Sequence, residues 1–154
     1  MWKGVVIMNA KDTIIALWEA LQKGQYTVAK SLLGEEFIFS GSNPMPMNGE
    51  EWIRTQENLR KAFPDIDFHM VVRSENGEVV GITHQLSGTH LGNLDLTMMG
   101  LGIIPPSGKS FSIPQQKAEG IVRNGKVVKY TVQSSNDSGM MAILSAIGVA
   151  VPQI

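Results

Sequence analysis

Apolar residues recur at helical spacing in several stretches of the chain, and residues that start or stop helices bound these stretches. Between Asn9 and Lys23 charged residues separate the apolar positions, and Gly24 follows as a stop signal. The spacing predicts helices over residues 9–23, 26–33, 49–62 and 138–147. We expect Asn136 or Asp137 to cap the last helix, which stops at Gly148.

Extended segments follow the third predicted helix, where apolar and polar positions begin to alternate. Together with one short segment before that helix, the pattern predicts strands over residues 36–40, 66–74, 78–88, 110–123 and 126–135. Asn76-Gly77 and Asn124-Gly125 each separate two of these strands, and Asn-Gly is a strong hairpin signal because both residues tolerate positive φ. The segment 41–49 contains two prolines, which withdraw backbone donors, so a loop is expected there.

The order of the elements predicts the fold class. Helices come first, an antiparallel sheet follows, and a last helix closes the chain. This order predicts an α+β fold in which a curved antiparallel sheet forms a cone around the N-terminal helices, with a C-terminal helix. No repeat, linker or low-complexity tract divides the 154 residues, so we expect a single domain over residues 1–154.

Composition narrows the classes of function. Zero cysteines exclude disulfides and a cysteine nucleophile, and they fit a reducing compartment, so a cytoplasmic location is expected. Thirteen basic and fourteen acidic side chains give a formal charge of -1 with no basic run, so no nucleic-acid partner is expected. No stretch approaches the roughly 20 apolar residues of a membrane-spanning helix, and the N-terminal apolar run is too short for a signal peptide. We therefore expect no membrane association.

Two motifs flank an apolar run in the second half of the chain. Residues 88–92 read Gly-Thr-His-Leu-Gly and residues 104–109 read Ile-Pro-Pro-Ser-Gly-Lys, and together they indicate the rim of a small-molecule pocket. With Phe63-Pro64-Asp65 and the Asn124-Gly125 hairpin, they resemble the SnoaL-like polyketide cyclase or ester cyclase family. The resemblance implies the nuclear-transport-factor-like cone fold. Members of that superfamily often pair through the outer face of the sheet, so we expect a homodimer.

Histidines are the first candidates for chemistry. In the strand predicted over residues 78–88, alternation places Val80, Ile82 and His84 on one face, which should point to the interior of the cone. If the alternation continues to His90, two imidazoles line the same wall. A buried neutral imidazole serves as a general acid or base, or polarises a carbonyl. Alternatively, each histidine bonds a loop and holds the rim, and His69 is expected to be structural.

Carboxylates are the second candidates. The resemblance implies an aspartate near the end of the last strand, which acts as general acid and base in an aldol ring closure, and Asp137 is the residue that could match it. Asp137 could instead cap the following helix. Glu119 lies in the strand predicted over residues 110–123, and burial without a partner would raise its pKa and make it a plausible base. An exposed position, or a pair with Lys117 or Lys129, is the alternative.

A pocket is also indicated by methionines, because flexible thioethers suit an irregular apolar cavity. They fall in the loops and the last helix where the mouth of the cone should lie: Met45, Met47, Met98, Met99, Met140 and Met141. Core filling is the alternative role for them. Gln133, at the end of the last strand, could orient a substrate carbonyl. Three histidines without metal-ligand spacing, and no nucleotide-binding motif, predict no metal and no cofactor.

Two hypotheses of function remain. The first is a cofactor-independent enzyme of the polyketide cyclase or isomerase type, which binds a small apolar carbonyl-type ligand and moves a proton in aldol cyclisation, isomerisation or hydration. His90 and His84 would be its donors, and Asp137 or Glu119 its carboxylate. The alternative is a non-catalytic ligand-binding or dimeric association module, because one fold hosts many functions. An inward carboxylate within reach of either histidine would favour the enzyme.

Overall fold

The helices and the main strands follow one another in the order that the sequence predicts. A computed structural model of the protein describes residues 9–41, 46–97, 100, 102–133 and 139–149, without the side chains of residues 139–141. Its helices are α1 (Ala10–Gln22), α2 (Tyr26–Ser31), α3 (Gly49–Ala62) and α4 (Gly139–Ala146). Its strands are β1 (Leu33–Ser40), β2 (Met47–Asn48), β3 (Val71–Asn76), β4 (Val79–His84), β5 (Ser87–Thr89), β6 (Leu94–Asp95), β7 (Ile103–Ile104), β8 (Ser110–Ser112), β9 (Gln116–Arg123) and β10 (Lys126–Val132).

The two long helices begin at asparagine caps. Asn9 Oδ1 accepts a hydrogen bond of 2.8 Å from the backbone N–H of Asp12 at the start of α1. At the start of α3, Asn48 and Glu51 form a capping box, in which each side chain accepts a hydrogen bond from the other residue's backbone N–H. Gly24, at φ +73°, follows the end of α1 as predicted. These caps fix where the apolar faces of both helices start.

The central sheet has six strands in the order β2-β1-β10-β9-β4-β3. β1 and β10 run parallel, with Phe39 opposite Tyr130, whereas all other neighbours in this sheet are antiparallel. The pairs β5-β8 and β6-β7 form two small separate sheets. The α+β fold with a curved sheet, N-terminal helices and a C-terminal helix is therefore confirmed.

Both predicted hairpins are present, but their turns differ. Asn124 and Gly125 form a two-residue turn with φ values of +55° and +73°, as in a type I′ turn. In the other hairpin Asn76 pairs with Val79, so the turn residues are Gly77 and Glu78, one position later than expected. Gly77 supplies the positive φ there, at +61°.

Two of the predicted strands are each divided in the structure. The segment 78–88 becomes β4 and β5, and the segment 110–123 becomes β8 and β9. Pro114 lies between β8 and β9, where it cannot donate a ladder hydrogen bond. After His84 the backbone leaves β3 and β9: Gln85 N donates to Phe68 O, and β5 pairs with β8. The chain therefore leaves the central sheet just after His84 and pairs with β8 in a second sheet.

Aromatic side chains fill the space between the sheet and the helices. The ring centroids of Trp18 and Trp52 lie 5.7 Å apart edge to face, and Phe39 stacks on Trp52 at 5.3 Å. α1 crosses β9 so closely that a Cβ atom at Gly120 would lie 2.7 Å from Ile14 Cδ1. This contact holds α1 against the sheet and places Trp18 beside β4. Among the described residues, no helix is both long and apolar enough to cross a membrane.

Candidate functional site

A cavity of about 70 Å³ lies between the inner face of the sheet and the helices, and its mouth is open. About 600 Å³ of atom-free space is present when the mouth is counted. The lining is mostly apolar and comprises Trp18, Phe39, Met47, Trp52, Thr55, Gln56, Leu59, Phe68, His84, Leu86, Gln116, Val132 and Ile143. Because benzene occupies a cavity of about 150 Å³, only a few heavy atoms fit the enclosed part, and a larger ligand extends into the mouth.

His84 and Tyr130 form a buried hydrogen-bonded pair beside this cavity. His84 ends β4 and is 2% exposed, as the alternation predicts, and its Nε2 is hydrogen-bonded to the Tyr130 hydroxyl from β10. The Trp18 ring covers the imidazole, with 4.4 Å between their centroids. Two strands and one helix therefore fix the position of the imidazole.

Burial decides the protonation of both groups. It lowers the pKa of His84 from 6.5 to about 4, while the backbone of Phe68 acts in the opposite direction. Burial also raises the pKa of the Tyr130 hydroxyl well above its usual value, while the Trp18 side chain acts to lower it. At neutral pH both side chains are uncharged. The Tyr130 hydroxyl can donate to His84 Nε2 or accept from it, and in the tautomer in which it donates, the imidazole proton lies on Nδ1.

In that tautomer His84 Nδ1 can donate a hydrogen bond, and it has no partner in normal geometry among the described residues, although the Phe68 backbone lies near enough to raise the pKa of the imidazole. A pKa near 4 makes this imidazole a weak base at neutral pH. A neutral N–H donor can instead polarise a carbonyl group, because it stabilises negative charge that develops on the oxygen. Of the roles that the sequence predicts for His84, its geometry and protonation favour the donor.

Gln56 and Gln116 are buried polar side chains that sequence reasoning did not select. They are 8% and 7% exposed and both line the cavity. Gln56 Oε1 and Gln116 Nε2 have no hydrogen-bond partner among the described residues. Gln116 lies directly opposite His84 in the β4–β9 register, and Gln56 follows Trp52 by one helical turn. The signal for Gln56 was a polar residue at an apolar helical position, whereas Gln116 required the register.

The motif at residues 88–92 holds loops together. Asp65 Oδ1 accepts a hydrogen bond of 2.7 Å from the backbone N–H of Thr89. Asp65 Oδ2 accepts a second one, of 2.8 Å, from the Thr89 hydroxyl. These bonds, the backbone one first, lower the pKa of Asp65. Gly88 lets Phe63 and Phe111 approach, because its Cβ would lie 3.2 Å from Phe63 Cβ and 3.1 Å from Phe111 Cε1. The Phe-Pro-Asp and Gly-Thr-His segments therefore meet in space.

His90 is fully buried, but it does not line the cavity that His84 lines. Its Nδ1 accepts a hydrogen bond of 3.2 Å from the backbone N–H of Ser107 and lies 3.0 Å from the Ser107 hydroxyl. Backbone bonds join His90 to Lys109 and Gly108 on the same loop. The expectation of two imidazoles on one wall is wrong, because the chain changes sheets between them. The geometry of His90 corresponds to the rim-holding alternative.

The other predicted site residues are divided among several places. Glu119 is exposed on β9, between the inward Ala118 and Gly120, so the structure corrects its placement as a buried base. Gln133 is also exposed and is not part of the cavity lining, while Met47 does line it. The remaining predicted site residues lie outside the described residues or, for the last two, outside the described side chains: Met45, Met98, Met99, Asp137, Met140 and Met141.

A second, wider groove of about 440 Å³ lies between α1 and the segment 67–72, on the other side of Trp18 and Phe68. Its amide and histidine groups are paired within the protein. Gln22 donates to Ile66 O at 2.7 Å and accepts from Phe68 N at 3.2 Å, and His69 Nδ1 lies 2.6 Å from Gln85 O. In the smaller cavity several polar atoms lack such partners among the described residues, so it is the better candidate site.

These features define a class of protein: a curved sheet and helices that enclose a small apolar cavity containing a few neutral polar groups. The family model for SnoaL-like polyketide cyclase matches residues 11–142. The chain belongs to the SnoaL-like polyketide cyclase family, as its motifs predict.

Solved structures share this fold at low sequence identity. A proposed polyketide cyclase from Pseudomonas putida aligns with a TM-score of 0.71 and 16% identity, over 94% of this chain and 100% of that chain. IdmH, a proposed polyketide cyclase from Streptomyces antibioticus, aligns with a TM-score of 0.64 and 23% identity, over 90% of this chain and 99% of that chain. AclR, a proposed hydroxylase from Streptomyces galilaeus, aligns with a TM-score of 0.69 and 18% identity, over 90% of this chain and 95% of that chain. No curated protein matches the chain in sequence.

Proposed function

We propose that this protein binds an uncharged carbonyl compound in the cavity and catalyses proton transfer on it, as in an aldol cyclisation or isomerisation of the polyketide type. The observation that carries the proposal is the His84–Tyr130 pair, which is buried and neutral beside an apolar cavity. Membership of the family supports a carbonyl compound as the substrate.

The proposed chemistry uses His84 as a donor. Its Nδ1–H would bond the carbonyl oxygen and make the neighbouring C–H group more acidic. A base would remove that proton, the resulting enolate carbon would bond to a second carbonyl carbon, and the new alkoxide would take up a proton. Atoms and electrons balance without an external oxidant or reductant. Asp137 stays the predicted base, and it lies outside the described residues.

Non-catalytic binding is the second candidate function, and one observation favours it. None of the described residues that line the cavity is a carboxylate, and His84 is a weak base. The same cavity could therefore hold a ligand without converting it. The two candidates differ in one measurable property, which is whether a bound ketone loses its α-proton faster than it does in solution.

The test is hydrogen–deuterium exchange at the α-carbon of a ketone. Cyclohexanone and 2-tetralone are incubated with the protein in D₂O, and ¹H NMR follows loss of the α-proton signal. The enzyme hypothesis expects faster exchange with the wild-type protein, and a loss of at least about tenfold in the His84→Phe and Asp137→Asn variants. Glu35→Gln, a change of an exposed carboxylate on β1, is the control and should keep the wild-type rate.

The outcomes separate the two candidate functions. Ketone binding without faster exchange would reject the enzyme and support the binding protein. Faster exchange that survives both site substitutions would reject the assigned residues. No binding of either ketone, with a correctly folded protein, would reject both candidates.

Two broader expectations also stay proposals, namely a homodimer and a cytoplasmic location. Support for the dimer comes from the outer face of the sheet, where Ile38 is 42% and Val79 36% exposed. Apolar side chains exposed on a sheet face suit an isologous contact between two copies.

A further inference from the structure

Five side-chain atoms of the residues that line the cavity have no hydrogen-bond partner among the described residues, and two of them belong to amide groups: Gln56 Oε1, an acceptor, and Gln116 Nε2, a donor. The other three are the ring nitrogens Trp18 Nε1, Trp52 Nε1 and His84 Nδ1. Both glutamine side chains are more than nine-tenths buried, and both line the cavity. Buried amide groups are normally hydrogen-bonded, because leaving one unpaired costs free energy. Two unpaired amide atoms in one small cavity therefore indicate that a ligand in the cavity forms hydrogen bonds with them.

The elements around these glutamines hold them in place. Gln116 starts β9 and pairs with His84 across the sheet, so its amide lies beside the imidazole. Gln56 lies on the buried face of α3, between Trp52 and Leu59, which also line the cavity. The donor therefore comes from the sheet and the acceptor from the facing helix.

Charge and size restrict what can bind. None of the described lining residues is Lys, Arg, Asp or Glu, and His84 is uncharged at neutral pH, so a charged ligand would find no counter-ion. The enclosed volume of about 70 Å³ accepts only a few heavy atoms. The part of the ligand that enters must be small and neutral.

We propose that Gln56 and Gln116 select a neutral ligand whose inner edge carries both a carbonyl and a hydroxyl group. The carbonyl oxygen accepts from Gln116 Nε2, and the hydroxyl donates to Gln56 Oε1. This inference names the substrate class of the proposed function and rests on it. It makes the two glutamines specificity residues, distinct from the donor His84.

The experiment measures binding and needs no turnover. The probes are 2-hydroxycyclohexanone, which carries both groups on one edge, and cyclohexanone, cyclohexanol and cyclohexanecarboxylate. Each is titrated into ¹⁵N-labelled protein at pH 7 while the glutamine side-chain amide signals are followed. We expect 2-hydroxycyclohexanone to bind most tightly and the carboxylate most weakly. The Gln116 Nε2 signals should shift with both ketones, because the carbonyl accepts from that group.

Three variants assign the contacts. Gln116→Met should weaken binding of the two ketones about tenfold and leave cyclohexanol unchanged, because only the carbonyl contact is lost. Gln56→Met should weaken the two hydroxyl compounds about tenfold and leave cyclohexanone unchanged. Gln115→Met makes the same change at the neighbouring exposed position and should have no effect on any probe.

Equal affinities of all probes for the wild type and both cavity variants would overturn the inference, and so would carboxylate binding as tight as that of the hydroxyketone. If probe binding follows the expected pattern but no ketone exchanges its α-proton faster, the recognition stands and the proposed catalysis fails. If exchange is catalysed but the glutamine variants bind every probe as the wild type does, the catalysis stands and the recognition fails.

Discussion

Acidification should destabilise this protein through one buried side chain, His84. The pKa of His84 is about 4 in the folded protein and 6.5 in an ordinary environment. Because the folded state disfavours the charged imidazole, the unfolded state binds a proton first as the pH falls. The stability that the neutral His84 side chain contributes is fully present above pH 6.5, and it is lost as the pH falls from 6.5 to about 4.

The magnitude follows from the two pKa values. Each pKa unit corresponds to about 1.4 kcal/mol, so a change from pH 7 to pH 4.5 removes about 2.5 kcal/mol of the free energy of unfolding. This is a large part of a typical stability of about 5–15 kcal/mol. The carboxyls of Asp65 and Asp95, whose pKa values are lowered from 3.8, act mainly below this range.

The assay is urea unfolding at pH 7.0 and pH 4.5, followed by tryptophan fluorescence at one protein concentration. The wild type should lose about 2.5 kcal/mol more than the His84→Asn variant between these pH values. His69→Asn changes a histidine whose side chain is 51% exposed, and should retain the wild-type loss. Asparagine tolerates the positive φ of residue 69, which makes the control a fair one.

An equal loss in the wild type and in His84→Asn would refute the reasoning. NMR provides an independent check that needs no variant: the His84 ring signals should not titrate between pH 7 and about pH 5. A midpoint near 6.5 would show that burial does not suppress the charged form.

Three further predictions concern stability and assembly. Gln116→Met should raise the free energy of unfolding by about 1–2 kcal/mol in urea, because it removes a buried donor without a described partner, whereas Gln115→Met should change little. Gly92→Ala should lower the free energy of unfolding by about 2 kcal/mol or more, since the new Cβ meets the carbonyl oxygen of Lys61. Gly81→Ala should lower it less, because the new Cβ meets only the movable Ser74 hydroxyl. Equal melting temperatures of the two variants would contradict this prediction. Light scattering at micromolar concentration should give the mass of a dimer, and a monomer mass would reject the outer-face contact.

The parts of the fold that depend on local signals could be predicted from the sequence. The asparagine before α1, the glycine after it and the Asn124-Gly125 turn act within a few residues of themselves. The burial of His84 also followed, because Val80, Ile82 and His84 share the inner face of β4 and are all buried. The family motifs covered enough of the chain to give the cone fold.

The predictions that failed depend on distant pairings. His90 was expected beside His84, but the chain changes from β9 to β8 as its partner between these residues, and alternation along one strand carries no sign of that change. Glu119 is flanked by small residues, so its face was ambiguous until the β9 register was known. Gln116 became a candidate only because it is opposite His84 in that register.

The parallel pair β1–β10 has a consequence for how the protein is made. β1 gains β2 as a neighbour almost at once, but its other edge waits for β10, which ends at Val132. At about 5–20 residues per second, the ribosome takes roughly 5–20 seconds to make the intervening chain. During that interval the nascent protein exposes an open strand edge, a known route to aggregation. Expression yield should therefore depend on translation speed and on chaperones that shield this edge.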